Sequence, residues 1–290
     1  LLAELHRIGA VVDASAARAR SRHRAASTVL VDGRGPLAVG VAVGLAGAGV
    51  GVVRLRTSGI VGPGDLGTGL TSADRGRPRS EAIAAAVRAA APNAVTGPPP
   101  RRFDADLVVL ADAQLPDPAV IDRLHARGTA HLAVRLREGV GLIGPLVLPG
   151  RTACLRCLEL HRLARDPAWP RVAAQLVGRP GRGDPACAAA TAALATAQVV
   201  AALDSTAGDE RPPPTLEATL ELDASAATML RRRWTAHDDC ECGAAYRRQP
   251  RTYGMVSQGL HACAERHRQG TIVVSRPPPG RDRRAPDARS

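Results

Sequence analysis

The stretch Ser27–Arg56, STVLVDGRGPLAVGVAVGLAGAGVGVVRLR, decides the fold. Thr28–Asp32 is a short apolar run of the kind buried on both faces of a parallel sheet. Gly33, Gly35 and Ala38 then form a G-x-G-x-x-A pattern that opens a helix from Leu37 to Gly47, and GVVRLR follows as a second strand. In such a turn the first glycine permits a tight bend and the second lets a backbone approach phosphate. The small third residue lets helix and strand pack closely. The free N–H groups at the start of the helix form an anion site. A βα turn with no ligand would need the same residues, so the pattern alone leaves both readings open. Roughly 20 residues past the turn a dinucleotide fold places a carboxylate on the ribose. Here that strand carries Arg54 and Arg56 instead, which fit either the 2′-phosphate of NADP or a nucleotide site that has decayed.

Outward from this stretch the signals keep alternating as βαβ units do. SEAIAAAVRAAAPN reads as a helix, and DLVVLAD, AHLAVRL and GVGLIGPLVLPG read as strands. The Ala-rich segment 186–204 is interrupted by Thr and Gln and is read as a buried helix against the sheet, with no run long and apolar enough to span a bilayer. TLEATLELD and ATMLRRRW read as two strands of a β-extension. Before the main domain, residues 1–26 read as the end of a small helical or winged-helix domain followed by an Arg-rich linker. The main domain spans 27–246, and 247–290, rich in Pro, Arg and Gly, reads as an irregular tail. The chain begins at Leu1, with the expectation that a portion precedes it.

With 290 residues the chain can bury one large core. Its formal net charge is +12, and the sequence contains no lysine, so all 39 basic residues are arginine. Arginine bias with heavy Ala, Gly and Pro usage follows high-GC coding. An aromatic content of 2% leaves few platforms for stacking bases, so the charge reads as a solvated basic surface and argues against nucleic-acid binding. There is no charged n-region followed by an apolar h-region, so the expected location is the cytoplasm.

Six cysteines in that setting point to metal or reactive thiols before disulfides. Cys154 and Cys157 form C-x-x-C, and Cys240 and Cys242 form C-x-C, one residue shorter than usual. Four thiolates on two knuckles suit a tetrahedral structural zinc that staples the chain's end to its core. Cys187, before the Ala-rich helix, is read as a small buried hydrophobe rather than a nucleophile. Cys263 with His261 and His267 has metal-like spacing but lies in the tail. His161 is assigned to a short helix beside the first knuckle, and Asp166 and Trp169 to a surface that meets a partner.

The segment from Gly51 to Asn93, followed by DLVVLAD and GLIGPLVLPGRTACLRCLEL, resembles in order and spacing the ThiF/MoeB family of adenylating enzymes related to ubiquitin-activating enzymes. The resemblance covers about Thr28 to Gly243. It implies an α/β Rossmann-like domain, mainly parallel, with helices on both faces, a β-extension and a four-cysteine zinc staple. It also implies a homodimer and an ATP and magnesium site. Gly33 and Gly35 fall where the family cradles ATP, Arg79 replaces the phosphate-binding lysine, and Asp112 falls on the aspartate near ATP and magnesium. The ribose carboxylate is replaced by Arg54 or Arg56, and the catalytic arginine by Thr68. These losses predict little or no adenylation by the chain alone, with Asp112 catalytic only if adenylation is retained. Within the family, GPLVLPGRTACLRCLELHRLARDPAWPRVAAQL resembles the actinobacterial ThiF-like partner proteins of azole-azoline peptide biosynthesis. That implies a scaffold that binds a precursor's leader peptide and serves a YcaO-type enzyme. The alternatives are an active adenylyltransferase acting on a C-terminal carboxylate and, from Arg54 and Arg56 alone, an NADP-dependent oxidoreductase.

Overall fold

In a computed structural model, which describes residues 13–206 and 212–245, the chain builds one eight-stranded sheet ordered β3-β2-β1-β4-β5-β6-β7-β8. The strands are β1 (Thr28–Asp32), β2 (Val52–Arg56), β3 (Val95–Gly97), β4 (Leu107–Ala111), β5 (Ala130–Arg137), β6 (Val140–Val147), β7 (Ala218–Asp223) and β8 (Thr228–Arg233). The first five are parallel and the last three join antiparallel, so the mixed sheet is mostly parallel, as the resemblance implies. The helices are α1 (Ala14–Ala26), α2 (Pro36–Gly47), α3 (Arg79–Ala90), α4 (Pro118–Ala126), α5 (Leu155–Leu163), α6 (Trp169–Leu176) and α7 (Pro185–Thr206).

Both faces of the sheet are covered, and the alternation of the strands sorts their side chains. Val29, Val31, Leu107 and Val109 face a core built with α2, α3 and α7, where Leu37, Leu45 and Ile83 are fully buried. Leu30, Val108 and Leu110 point the other way, to α4, α5 and the cysteines. Truncating a buried leucine such as Leu37 to Ala would cost about 2–5 kcal/mol.

The two most apolar helices, α2 and α7, meet at close range. A Cβ at Gly40 would lie 2.7 Å from the Ala192 Cβ, and one at Gly44 2.6 Å from the Thr196 hydroxyl. Glycines one turn apart on α2 therefore face small residues one turn apart on α7, and backbone proximity replaces side-chain bulk. By length and composition α7 is long enough and apolar enough to cross a membrane, which corrects the expectation that no such run exists. It lies packed on α2, β5 and β6, with more than half of its apolar window buried.

The segment read as a linker is also different: Ala14–Ala26 is the helix α1. Asp13 caps it by accepting from the Ser15 and Ala16 amides, and Arg24 reaches the Ala48 carbonyl at 3.1 Å. Alanine and arginine are both strong helix formers, and their propensity prevails over the polarity that suggested a linker. Residues 1–12, the supposed remnant of a further domain, lie outside the described residues. So does the tail 247–290 with His261, Cys263 and His267.

Candidate functional site

The strand order 3-2-1-4-5 reverses direction between β1 and β4, and ligands of open α/β sheets bind in the crevice at such a switch point. The Gly33–Gly35 turn leaves β1 there, and Asp112 ends β4 beside it. Together with Asp32, Arg34, Arg56, Arg79 and Asp117 they line a cavity of about 590 Å³. A strap formed by residues 177–181 closes one wall. Its backbone pairs with the chain after β4, Gln114 N donating to Arg179 O at 2.7 Å and Gly181 N to Asp112 O at 3.0 Å.

The helix start that would hold phosphate already holds an anion. Asp112 Oδ2 accepts from the Gly35 amide at 2.9 Å and the Ala38 amide at 3.2 Å, and Oδ1 accepts from the Leu37 amide at 2.9 Å. Asp112 is 5% exposed and has φ +71°, a left-handed conformation that aspartate tolerates better than most residues. The same contact explains the glycines. A Cβ at Gly33 would lie 2.7 Å from Asp112 Oδ2, and one at Gly35 2.6 Å from Oδ1. Burial pushes the Asp112 carboxyl up to about 6, against the three amides, which favour the charged form. At neutral pH it is ionised.

Two arginines of the cavity are also paired within the chain. Arg56 pairs with Asp32 at 3.0 Å across β1 and β2. Arg79, the first residue of α3, pairs with buried Asp65 at 2.9 Å and donates a second bond to the Ser58 carbonyl. Thr68, which the sequence resemblance aligns with the family's catalytic arginine, donates to Pro36 O at 2.6 Å. Arg54 does not line the cavity, whereas Arg34 does and is exposed at its edge. As arranged, the three amides at the start of α2 and the guanidinium groups of Arg56 and Arg79 are engaged within the chain. Asp65 was not singled out from sequence, and its only signal is its place between a glycine turn and the arginine of GRPR.

The four cysteines do converge. Cys154 caps α5, with Cys157 one turn on, while Cys240 and Cys242 follow β8, and all four sulfurs lie within 4.8 Å of one another. The sulfur separations are 3.7 Å for Cys154–Cys157, 3.6 Å for Cys154–Cys240 and 3.6 Å for Cys157–Cys242. A tetrahedron with metal–sulfur bonds of about 2.3 Å has edges of about 3.8 Å, so the donor set fits a zinc-sized ion. The short C-x-C spacing is accommodated by a turn at Cys240–Gly243, where Gly243 takes φ +72°. His161 Nε2 lies 2.9 Å from the Thr235 carbonyl and its ring stacks edge-on to His237, fastening α5 to the chain that leads into the second knuckle.

Of the remaining assignments, Cys187 is buried with its thiol donating to Gly139 O at 3.0 Å, and burial raises its pKa. It is held as a donor, unlike an activated thiolate. Asp166 caps the approach to α6 through the Ala168 amide, and Trp169 Nε1 donates to Glu159 at 2.7 Å.

No protein-family model and no curated protein sequence matches the chain. Its architecture does match solved structures. E. coli MccB with AMPCPP and MccA aligns with a TM-score of 0.63 at 16% identity, over 78% of this chain and 69% of that one. The microcin C7 biosynthetic enzyme MccB in complex with N-formylated MccA aligns with a TM-score of 0.61 at 15% identity, over 78% and 70%. PaaA aligns with a TM-score of 0.58 at 14% identity, over 74% and 75%. The fold is thus the ThiF/MoeB-type fold implied by the sequence resemblance.

Proposed function

We propose that this chain is a ThiF-type scaffold that binds a precursor peptide for a partner enzyme of the YcaO class in azole-type peptide biosynthesis, with a nucleotide site that has lost its function. The observation that carries this reading is Asp112, which takes the three amides at the start of α2 that a phosphate would need. The ion pairs Arg56–Asp32 and Arg79–Asp65 support it, since each neutralises a cation that would face a phosphate. The solved neighbours support the peptide half of the reading, because MccB has been crystallised with MccA. We assign the Cys154, Cys157, Cys240 and Cys242 site to a structural zinc, whose closed all-cysteine ligand set leaves no position for substrate. The family resemblance adds a homodimer to the proposal.

In this role the chain's own residues bind and position, and no bond is made or broken on them. Asp112 fixes the start of α2, the strap 177–181 covers the switch point, and the metal site holds the β-extension. The experiments are ATP–pyrophosphate exchange with candidate precursor peptides, and leader-peptide binding. Exchange is expected to be absent, and leader binding is expected to disappear when the residues before Ser27 are removed. Robust exchange would overturn the proposal.

The second reading, an adenylyltransferase active on a carboxylate, is favoured by the cavity itself, whose volume of about 590 Å³ falls in the range of about 300–1,000 Å³ for ligand pockets. It requires Asp112 to leave the helix start, so exchange lost in Asp112→Ala would decide for it.

A further inference from the structure

On the other side of the strap, between α4, α5 and α6, lies a second cavity of about 270 Å³. Leu115 and Val177, which bridge the strap to the chain after β4, line it, and Pro116 lines both cavities. Leu158, Trp169 and Ala173 make the other sides apolar, and Arg135 of β5 lies in the lining. Arg135 is 6% exposed, and among the described residues its guanidinium has no hydrogen-bond or ion-pair partner. An unpaired buried charge is costly, so a guanidinium held in this way marks a place for an anion.

Every other charged side chain of the lining is engaged within the chain. Glu159 accepts from Arg162 on one oxygen and from the Trp169 indole on the other, and Arg162 lies 5.1 Å over the Trp169 ring. Arg156 pairs with Glu241 at 3.4 Å. Glu221, the other carboxylate whose charge reaches Arg135, pairs with Arg232 at 2.6 Å and Arg137 at 3.7 Å. Pro116, Pro118 and Pro170 in the lining have no amide N–H to offer. Among the described residues the cavity therefore presents apolar walls and a single free cation. Burial pulls the Arg135 guanidinium down to about 10, still well above neutral pH, so it remains charged.

We propose that this cavity binds a small, non-peptide apolar monocarboxylic acid, its carboxylate on Arg135 and its hydrocarbon body against Trp169 and Leu158. Guanidinium and carboxylate match as a two-pronged hydrogen-bonded pair. A peptide is the wrong ligand for these walls. Beyond a carboxylate it brings amide N–H and C=O groups, which apolar surroundings would bury without partners. The volume, just below the usual ligand-pocket range that starts at about 300 Å³, suits a short alkyl chain or a single aromatic ring. Neither Asp112 nor the Gly33–Gly35 turn lines this cavity, so the site is separate from the switch-point crevice and does not rest on the proposed function. An occupant would nevertheless pack on Leu115 and Val177, against the wall that the two cavities share.

The test uses the full chain. Octanoate, cinnamate, the amide of each, N-acetyl-leucine and inorganic phosphate are titrated while the indole N–H signal of Trp169 is followed by NMR, assigned by its persistence in Trp234→Phe. At least one of the two acids is expected to shift that signal and to bind about tenfold or more tighter than its amide, because the bonds to Arg135 are charge-assisted. The tighter of the two tells an aliphatic source from an aromatic one, and either supports the proposal. In Arg135→Met, which removes an unpaired buried charge and should fold at least as stably, the preference for acid over amide is expected to vanish. Ala173→Phe leaves Arg135 in place and fills the cavity, so acid and amide alike should cease to bind. Equal binding of acid and amide, no response to either acid, or a preference retained in Arg135→Met would each overturn the proposal. So would unchanged binding in Ala173→Phe, or binding of N-acetyl-leucine or phosphate as tight as that of the better acid. No probe contains a leader sequence or undergoes pyrophosphate exchange, so failure here is distinct from failure of the proposed function.

Discussion

Asp112→Ala is the most informative perturbation of the switch point. The variant removes the acceptor of three amides, those of Gly35, Leu37 and Ala38, at the buried start of α2. Loss of a helix cap costs about 1–2 kcal/mol, and each further buried amide without an acceptor adds about 1 kcal/mol or more. Near neutral pH the expected loss is therefore about 3–4 kcal/mol, which for a domain of this size lowers the midpoint of thermal unfolding by roughly 6–12 °C. The variant also frees the cradle, so phosphate should restore part of what was lost. With a dissociation constant of about 2 mM, about 20 mM phosphate returns about 1.4 kcal/mol, whereas wild type should not respond. The pH dependence has a definite sign. The folded carboxyl titrates at about 6 and the unfolded one near its ordinary 3.8, so between these values the folded state binds more protons. Wild-type stability relative to the variant should therefore rise as pH falls from about 6 to about 4, by up to about 3 kcal/mol, and be lost as pH rises through 6. Differential scanning fluorimetry over that range, with and without phosphate, measures all three effects. A gap that narrows on acidification, or a phosphate response in wild type equal to that of the variant, would refute the reasoning.

Three further outcomes are expected. Arg79→Ala leaves the Asp65 carboxylate buried without its cation and should cost about 3 kcal/mol in urea unfolding, largely recovered in Arg79→Ala with Asp65→Leu. Purified protein should carry about one equivalent of zinc by mass spectrometry. Cys157→Ser or a strong chelator should lower its unfolding midpoint, and less than a tenth of an equivalent would reject the assignment. Gly44→Val should force α2 from α7 and cost about 2 kcal/mol or more in chemical unfolding, whereas the same change at Gly47, where a Cβ meets nothing within 4 Å, should cost about 1 kcal/mol or less.

The doubly wound half of the molecule could be read in the sequence because its strands and helices follow strong local patterns. VLVD and LVVLA are apolar runs, and the Gly33–Gly35 turn sits between a strand and a helix. The pairing of two cysteine knuckles was legible too, since ligand type and spacing carry that information without the fold. What could not be read was occupancy. Gly33 and Gly35 are required equally by a phosphate and by Asp112, and only the approach of β4 to α2 tells which is present. The helix α1 was taken for a linker because arginine counts as polar in composition and as helix-forming in conformation.

The cysteine cage also sets an order of events during synthesis. Cys157 and Cys242 are separated by 85 positions, and the second knuckle comes after all eight strands. The five parallel strands and the first knuckle therefore emerge from the ribosome well before the cage can close, and a metal ion arriving early would meet only two thiolates. Until then the β7–β8 hairpin is held by its pairing with β6 and by Leu220 in the core, and its exposed Met229 and Leu230 lie on a free edge. Closing so long a loop is entropically costly, and the binding energy of a metal offsets that cost at the last step. With the cage open, the chain would have a finished core and a final hairpin whose downstream segment is unfastened.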